Sequence, residues 1–427
     1  MKTISAEILS TGNEVLLGAV ADTNAAHIAS ELWGLSVPVS RHTCVGDDLA
    51  ALVAAMREIA ERADVAVVTG GLGPTPDDLT SIAAATAAGV PQVLDPDALA
   101  WIEALFQMAG RPMPPSNRQQ ALFPEGSLRL DNPIGTAPGF ALTIGRCRFF
   151  FLPGVPREMR RMMADKVLPA LREMAGGAPA VGLRALSIFG ATEASIGEKT
   201  ADIAALVPGV TIGLQASFPV IRVKVYGRGE TPEAVDGMMD RATALVEERL
   251  GQWVLSREGK NPEDVVGNIL KSLGKTLAVA ESCTGGLISH MLTQAPGSSD
   301  YFLLGAVTYS NEAKTRVLSV SPETIARFGA VSTETAAEMA EGARRVAGAD
   351  FGLSTSGIAG PTGGSAEKPV GTVCIGFASG EGSTAHRFHF PFYDRERNKG
   401  VFAAAALDVL RRSMTGLPIP LFGGRSR

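Results

Sequence analysis

The first 170 residues repeat one unit: a short apolar run, then a stretch whose apolar residues recur at three- and four-residue spacing. "TISAEILS" precedes "DTNAAHIASELWGL", "VPVSRHTCVG" precedes "DDLAALVAAMREIAERA", and "DVAVVTGG" runs into a glycine-rich loop that leads to another helix. Short β-branched runs predict strands, and the longer spacing predicts amphipathic helices. Asp22 stands at the N-cap of the first helix and Gly34 at its end. Strands alternating with helices form a mostly parallel sheet with helices on both faces, because each crossover must lie on one face. "FFFLPGVPREMRRMMADKVLPAL" closes the unit with a strand, a Pro/Gly turn and a helix.

A chain of 427 residues predicts two or three domains. "REMAGGAPAVG" breaks the rhythm with small residues and reads as a linker. We therefore divide the chain at 1–172, 180–255 and 260–416. The middle stretch carries "RALSIFG", the helical "ATEASIGEKTADIAALV", the alternating "VIRVKVYGRG" and the helix "TPEAVDGMMDRATALVEERLG". That is a small α+β module without a chemical cluster, read as a spacer or dimerisation unit. The third stretch predicts another α/β domain. "PEDVVGNILKSLG" is a helix, and "TLAVA" is a strand leading through "ESCTGG" to the helix "LISHMLTQA". "YFLLGAVTYS" and "FGLSTSG" follow as strands, "TVCIGFAS" and "AHRFHF" as antiparallel neighbours, and "RERNKGVFAAAALDVLRRSM" as the last helix.

Composition excludes several classes. Hydrophobic residues at 45 % and charged residues at 19 % supply a core and exclude disorder. The net charge of −5, without a basic cluster interleaved with aromatics, argues against direct nucleic-acid contact. "MKTISAEILSTGNE" lacks a signal-peptide core, and no apolar run reaches about 18 residues, so no membrane span is expected. Cys44, Cys147, Cys283 and Cys374 lie far apart with no CxxC, which predicts neither disulfides nor a zinc ribbon and makes a reducing cytoplasm the default.

Two stretches are candidate sites. In "TGGLGPTPDD", Gly70, Gly71 and Gly73 follow a buried strand and allow close approach of a ligand to backbone N–H groups, with a helix N-terminus beyond that favours an anion. Asp77 and Asp78 follow, while Glu14 in "TGNE" and Asp47 and Asp48 in "VGDD" also come just after strands. In a parallel sheet these loops gather at one edge, where carboxylates can hold Mg²⁺ against phosphate oxygens. The simpler reading of Asp48 and Asp78 is as helix caps.

In "AESCTGG", Ser282 and Cys283 compete as nucleophile. A thiolate needs a base or cation, and His290, seven residues from Cys283 and roughly 10 Å away if both lie on one helix, is too distant. His27 and His42 lie in the first stretch, and His386 and His389 point to opposite faces of a strand. Ser282 has a different candidate base, Lys314 in "AVTYSNEAKTR", with the Tyr309 hydroxyl between them. A lysine acts as a base when burial lowers its pKa, and Ser-Lys pairs are a known form of triad logic, although the spacing alone is that of a solvated helix lysine. Gly285 and Gly286 would open the helix start so that backbone N–H groups can hold an oxyanion or a phosphate.

The strings "STGNEVLLGAVADTNA", "VGDD", "VTGGLGPTPDDLT", "NPIGTAPGF" and "FLPGVPREM" resemble the MoaB/MogA-like molybdopterin-binding family, and more closely the N-terminal half of the CinA (competence/damage-inducible) family. Leu72 stands where molybdopterin-binding relatives usually carry Thr, which fits the CinA branch. The resemblance implies hydrolysis of ADP-ribose with a divalent metal (Mg²⁺, Mn²⁺ or Co²⁺), with Asp47 and Asp78 as the acidic pair, Gly70, Gly71 and Gly73 as the phosphate loop, and Glu14 beside the nucleotide. Alternatives are a non-catalytic nucleotide or pterin module, or a competence or DNA-damage accessory role.

"AESCTGG", "GAVTYSNEAK", "GAVS", "SGIAGPTGGSAEKPVGTV" and "DRERNK" resemble the C-terminal domain of the same family, the nicotinamide mononucleotide deamidases. This implies hydrolysis of the nicotinamide carboxamide of nicotinamide mononucleotide without a cofactor, in pyridine nucleotide salvage. Ser282 is then the nucleophile, Lys314 its base and Tyr309 a supporting hydroxyl. Thr284, Gly285, Gly286, Ser356 and Gly357 would line the substrate pocket, and either Arg395 or Arg397 would serve the pocket or the phosphate. The resemblance also implies a homodimer.

Overall fold

The computed structural model describes residues 4–174, 176, 179–392 and 394–419. The chain forms two compact units, Met1–Gly182 with Arg228–Val235, and Leu183–Gly227 with Asp236–Arg427. Part of the expected linker, residues 175, 177 and 178, lies outside the described residues.

The first unit holds a six-stranded sheet in the order Val39–Val45, Ala6–Thr11, Val65–Thr69, Cys147–Leu152, Gly139–Ile144, Leu128–Leu130. The first four strands are parallel, as the alternating pattern predicts, and the last two turn back antiparallel. Val65–Thr69 is buried throughout, because helices cover both faces of a parallel sheet. Its alternate side chains feed two cores. Val65 and Val67 pack with Ile28, Leu32 and Met159, whereas Ala66 and Val68 pack with Leu52, Met56 and Phe149. Asp22 caps Thr23–Gly34 by accepting the Ala25 N–H at 2.8 Å, and Asp48 caps Leu49–Arg62 by accepting that of Ala51 at 2.8 Å. Each such cap contributes about 1 kcal/mol.

A four-stranded sheet, most of whose residues belong to the second unit, runs in the order Val210–Ser217, Val220–Gly229, Ala180–Phe189, Val254–Ser256. The remaining strands form a five-stranded sheet ordered Phe302–Val307, Leu277–Glu281, Phe351–Gly357, Thr372–Ser379, Gly382–His389, with the first three parallel and the last two antiparallel. Val279 faces the core made with the long helix Arg395–Thr415 through Phe402 and Leu407. Ala278 and Ala280 face Met339 and Ala343 of the helix Thr333–Ala347. Three parallel strands thus end at one edge, and the loop after Leu277–Glu281 leaves the centre of that edge. Among the described residues no helix is long and apolar enough to cross a membrane.

Candidate active site

Glu281 ends the central parallel strand fully buried, and Ser282 follows at the sheet edge. The chain then passes through Gly285 at φ +62° and Gly286 at φ +94°, left-handed positions that a side chain would strain, and enters the helix Leu287–Gln294. Glu281 anchors this turn. Its carboxylate accepts the N–H groups of Gly286 (3.0 Å), Ile288 (3.1 Å) and Ser289 (2.8 Å) and the Ser289 hydroxyl (2.7 Å). The anion favoured by this helix N-terminus is therefore supplied by the protein itself. The Gly285 N–H donates to the Ser282 carbonyl at 3.1 Å. The two N–H groups expected to face an oxyanion are thus committed elsewhere, and the glycines serve the turn.

Lys314 lies on the helix Asn311–Leu318, whose N-cap Ser310 accepts the Ala313 N–H at 3.0 Å. It is 1 % exposed, not the solvated lysine its spacing suggests. The adjacent parallel strand Phe302–Val307 delivers it to the sheet edge, where Nζ meets Ser282 Oγ at 3.1 Å, the Thr308 carbonyl at 2.9 Å and the Tyr309 carbonyl at 3.1 Å. Burial lowers its pKa, opposed by the charge of the Cys283 thiolate form. A neutral amine gives its two protons to the two carbonyls and turns its lone pair to the serine O–H.

Burial pushes the Cys283 thiol up to about 12, so the thiolate is scarce at neutral pH. None of the five histidines lines the pocket that opens at Ser282. That pocket has a volume of 210 Å³, and its lining includes Ser282, Cys283, Tyr309, Asn311, Lys314, Ser356, Gly357 and Arg395. Ligand pockets usually run to about 300–1,000 Å³, so this one is small and suits part of a larger ligand rather than the whole.

Tyr309 is 60 % exposed, and its hydroxyl accepts a hydrogen bond from Arg395 Nη2 at 3.1 Å; the carbonyl, not the hydroxyl, reaches Lys314. Arg395 Nη1 donates to the Gly360 carbonyl at 2.9 Å. Arg397 turns away, its guanidinium 5.6 Å from the ring centroid of Phe218. The pair left open by the sequence is thereby divided, with Arg395 at the pocket. Ser356 lines the pocket with its hydroxyl donated to the Ala330 carbonyl at 2.5 Å. Thr284 is buried and bonded to the Thr355 hydroxyl at 2.8 Å, away from the pocket lining. Sequence reasoning missed Glu281, although it is part of the quoted motif, and Asn311, for which "YSNEAK" carries no separate signal.

In the first unit Gly70, Gly71, Gly73, Glu14 and Asp78 line one 360 Å³ cavity with Asp22 and Glu158. At Gly70 (φ +110°) a methyl group would lie 2.5 Å from the Thr11 carbonyl oxygen, so glycine is needed there for the close packing of the loop on Thr11. Asp78 caps no helix: its Oδ2 accepts the N–H (2.8 Å) and hydroxyl (2.5 Å) of Thr75. Asp47 does not line the cavity and exchanges hydrogen bonds with Asn13 at 3.0 and 3.2 Å. Asp47 and Asp78 are therefore not brought together in one cavity. Among the described residues no group of three His, Cys, Asp or Glu is arranged to hold a metal ion. The described residues therefore do not form a ready metal site.

Three family models match the chain: the CinA C-terminal domain over 260–414, a probable molybdopterin binding domain over 7–173, and the damage-inducible protein CinA KH domain over 183–255. A CinA-like protein of Desulfosudis oleivorans is 51 % identical over 410 residues, 96 % of this chain and 99 % of that one. One from Desulforapulum autotrophicum is 46 % identical over 413 residues, 96 % and 98 % of the two chains. A crystal structure of CinA from Thermoplasma acidophilum, 35 % identical, covers 40 % of this chain and 98 % of its own with a TM-score of 0.37.

Proposed function

This chain belongs to the CinA family, and from that membership and its Ser282 site we propose that it is a nicotinamide mononucleotide amidase of pyridine nucleotide salvage. The observation that carries the reading is Lys314 Nζ, buried and 3.1 Å from Ser282 Oγ. Neutral Lys314 takes the Ser282 proton as Oγ attacks the carboxamide carbon. The backbone N–H groups of Cys283 and Thr284, adjacent to Ser282 in the turn, are the donors this reading assigns to the oxyanion. The Lys314 ammonium then protonates the departing nitrogen, which leaves as ammonia. Water, deprotonated by the same amine, cleaves the ester on Ser282 and releases nicotinate mononucleotide. A coupled ammonia assay on nicotinamide mononucleotide tests this, and a wild-type chain that releases none sinks it.

A second reading concerns the 360 Å³ cavity, whose glycine loop and carboxylates suit a phosphate-rich nucleotide. We propose ADP-ribose as its ligand. Incubating the chain with ADP-ribose and Mg²⁺, Mn²⁺ or Co²⁺ separates pyrophosphatase from binding module: AMP release with one of them makes it a hydrolase, and its absence with all three leaves a nucleotide-binding domain. The expected homodimer is checked by light scattering, where a monomeric mass excludes it.

A further inference from the structure

Lys399 lies four residues beyond Arg395 on the helix Arg395–Thr415, so the two share one face, one turn apart. Arg395 is held by the Gly360 carbonyl and the Tyr309 hydroxyl, and Arg397 rests on Phe218. The Arg397 side chain has that ring contact and no hydrogen bond, and the Lys399 side chain has neither a hydrogen bond, an ion pair nor a ring contact among the described residues. It is half-buried, and its ammonium hangs over the turn that carries the nucleophile. A methyl group built on Gly285 would lie 3.5 Å from Lys399 Nζ, and the Gly285 N–H is itself bonded to the Ser282 carbonyl. An ammonium that makes no ion pair among the described residues thus stands beside Gly285, three residues past Ser282, outside the lining of the pocket itself.

On the amidase reading, a pocket of 210 Å³ is sized for the carboxamide end of the substrate, with ribose and phosphate at its rim. We propose that Lys399 is the residue that recognises the 5′-phosphate, and that it makes the enzyme select a nucleotide over a nucleoside. The inference rests on the amidase reading for the identity of the substrate. Lysine suits the task as a point charge on a flexible stem that can meet a phosphate at a solvent-facing rim. Because the phosphate is remote from the scissile bond, its contact serves ground state and transition state alike, and losing it raises KM more than it lowers kcat.

The full chain is assayed for ammonia release from nicotinamide mononucleotide and from nicotinamide riboside, which lacks the phosphate. Lys399→Met is expected to raise KM for the mononucleotide at least about tenfold with kcat within about threefold, and to leave kcat/KM for the riboside unchanged. Lys399→Arg is expected to recover most of the loss. Equal loss on both substrates, or no loss on either, overturns the proposal. A wild-type chain that cleaves neither refutes the amidase reading itself. Calorimetric titration with ribose 5-phosphate then decides on Lys399, since weaker binding by at least about tenfold in Lys399→Met upholds a phosphate site and equal binding removes it.

Discussion

Lys314 Nζ lies 3.1 Å from Ser282 Oγ and directs its other two hydrogen bonds to the carbonyls of Thr308 and Tyr309. No carboxylate is among these partners. On the amidase reading the two act as a unit, so removing either member removes the same step. Ser282→Ala and Lys314→Ala should each lower kcat on the order of 10³-fold or more, and the double variant little further. Cys283→Ala should keep most of the activity, because its thiol is held up at about 12. The check is ammonia release by all four variants; a dead Cys283→Ala beside an active Ser282→Ala rejects the assignment.

The same lysine sets a pH dependence. Burial lowers its pKa from the ordinary 10.5, and only its neutral form can take the serine proton. The value of kcat/KM should therefore climb with pH, about tenfold per unit on the acid side, and level off at an apparent pKa below 10.5. Measurement between pH 6 and 10, on the order of that range, shows the limb. A rate that falls steadily over it removes Lys314 as the base.

Glu281 holds the nucleophile turn through four donors. Glutamine has one acceptor oxygen, so its NH₂ must face either the Gly286 and Ile288 N–H groups or the Ser289 N–H and hydroxyl. Buried donors left unmatched cost about 1–3 kcal/mol each. Glu281→Gln should destabilise the chain by about 2 kcal/mol and lower kcat at least about tenfold with a smaller change in KM. Glu281→Asp, which keeps the charge, should recover part of kcat. Urea unfolding and steady-state kinetics read both effects, and an unchanged kcat would leave Glu281 a purely structural residue.

The strand–turn–helix around Ser282 was legible because "TLAVA", "ESCTGG" and "LISHMLTQA" carry their signals locally. The burial of Lys314 was not, since it depends on the helix Thr333–Ala347 and neighbouring strands closing over a residue whose local pattern is that of a solvated helix. That helix was itself missed, as was the strand Val210–Ser217. The strand mixes Gly, Gln and Ser with apolar residues and is specified by its antiparallel partner Val220–Gly229. The central parallel strands of the first sheet, Ala6–Thr11, Val65–Thr69 and Cys147–Leu152, were legible from their apolar runs, and the polar edge strand Val39–Val45 from its place in the alternation. The antiparallel pair Gly139–Ile144 and Leu128–Leu130 was not, because Leu128–Leu130 is only three residues long and follows no helix.

Arg395 and Arg397, two residues apart on one helix, point to different partners because a helix turns by about 200° over two positions. Arg395 reaches the Tyr309 hydroxyl and the Gly360 carbonyl at the pocket, and Arg397 stacks on Phe218. Arg395→Ala frees Tyr309 and the loop at Gly360, so kcat/KM for nicotinamide mononucleotide should fall at least about tenfold. Arg397→Ala removes a solvent-exposed cation–π contact, which contributes about 0.5–1 kcal/mol. It should leave kcat/KM within about twofold and lower stability by no more than that amount. Kinetics and urea midpoints for the two variants separate the roles. A larger catalytic loss in Arg397→Ala than in Arg395→Ala would exchange their assignments.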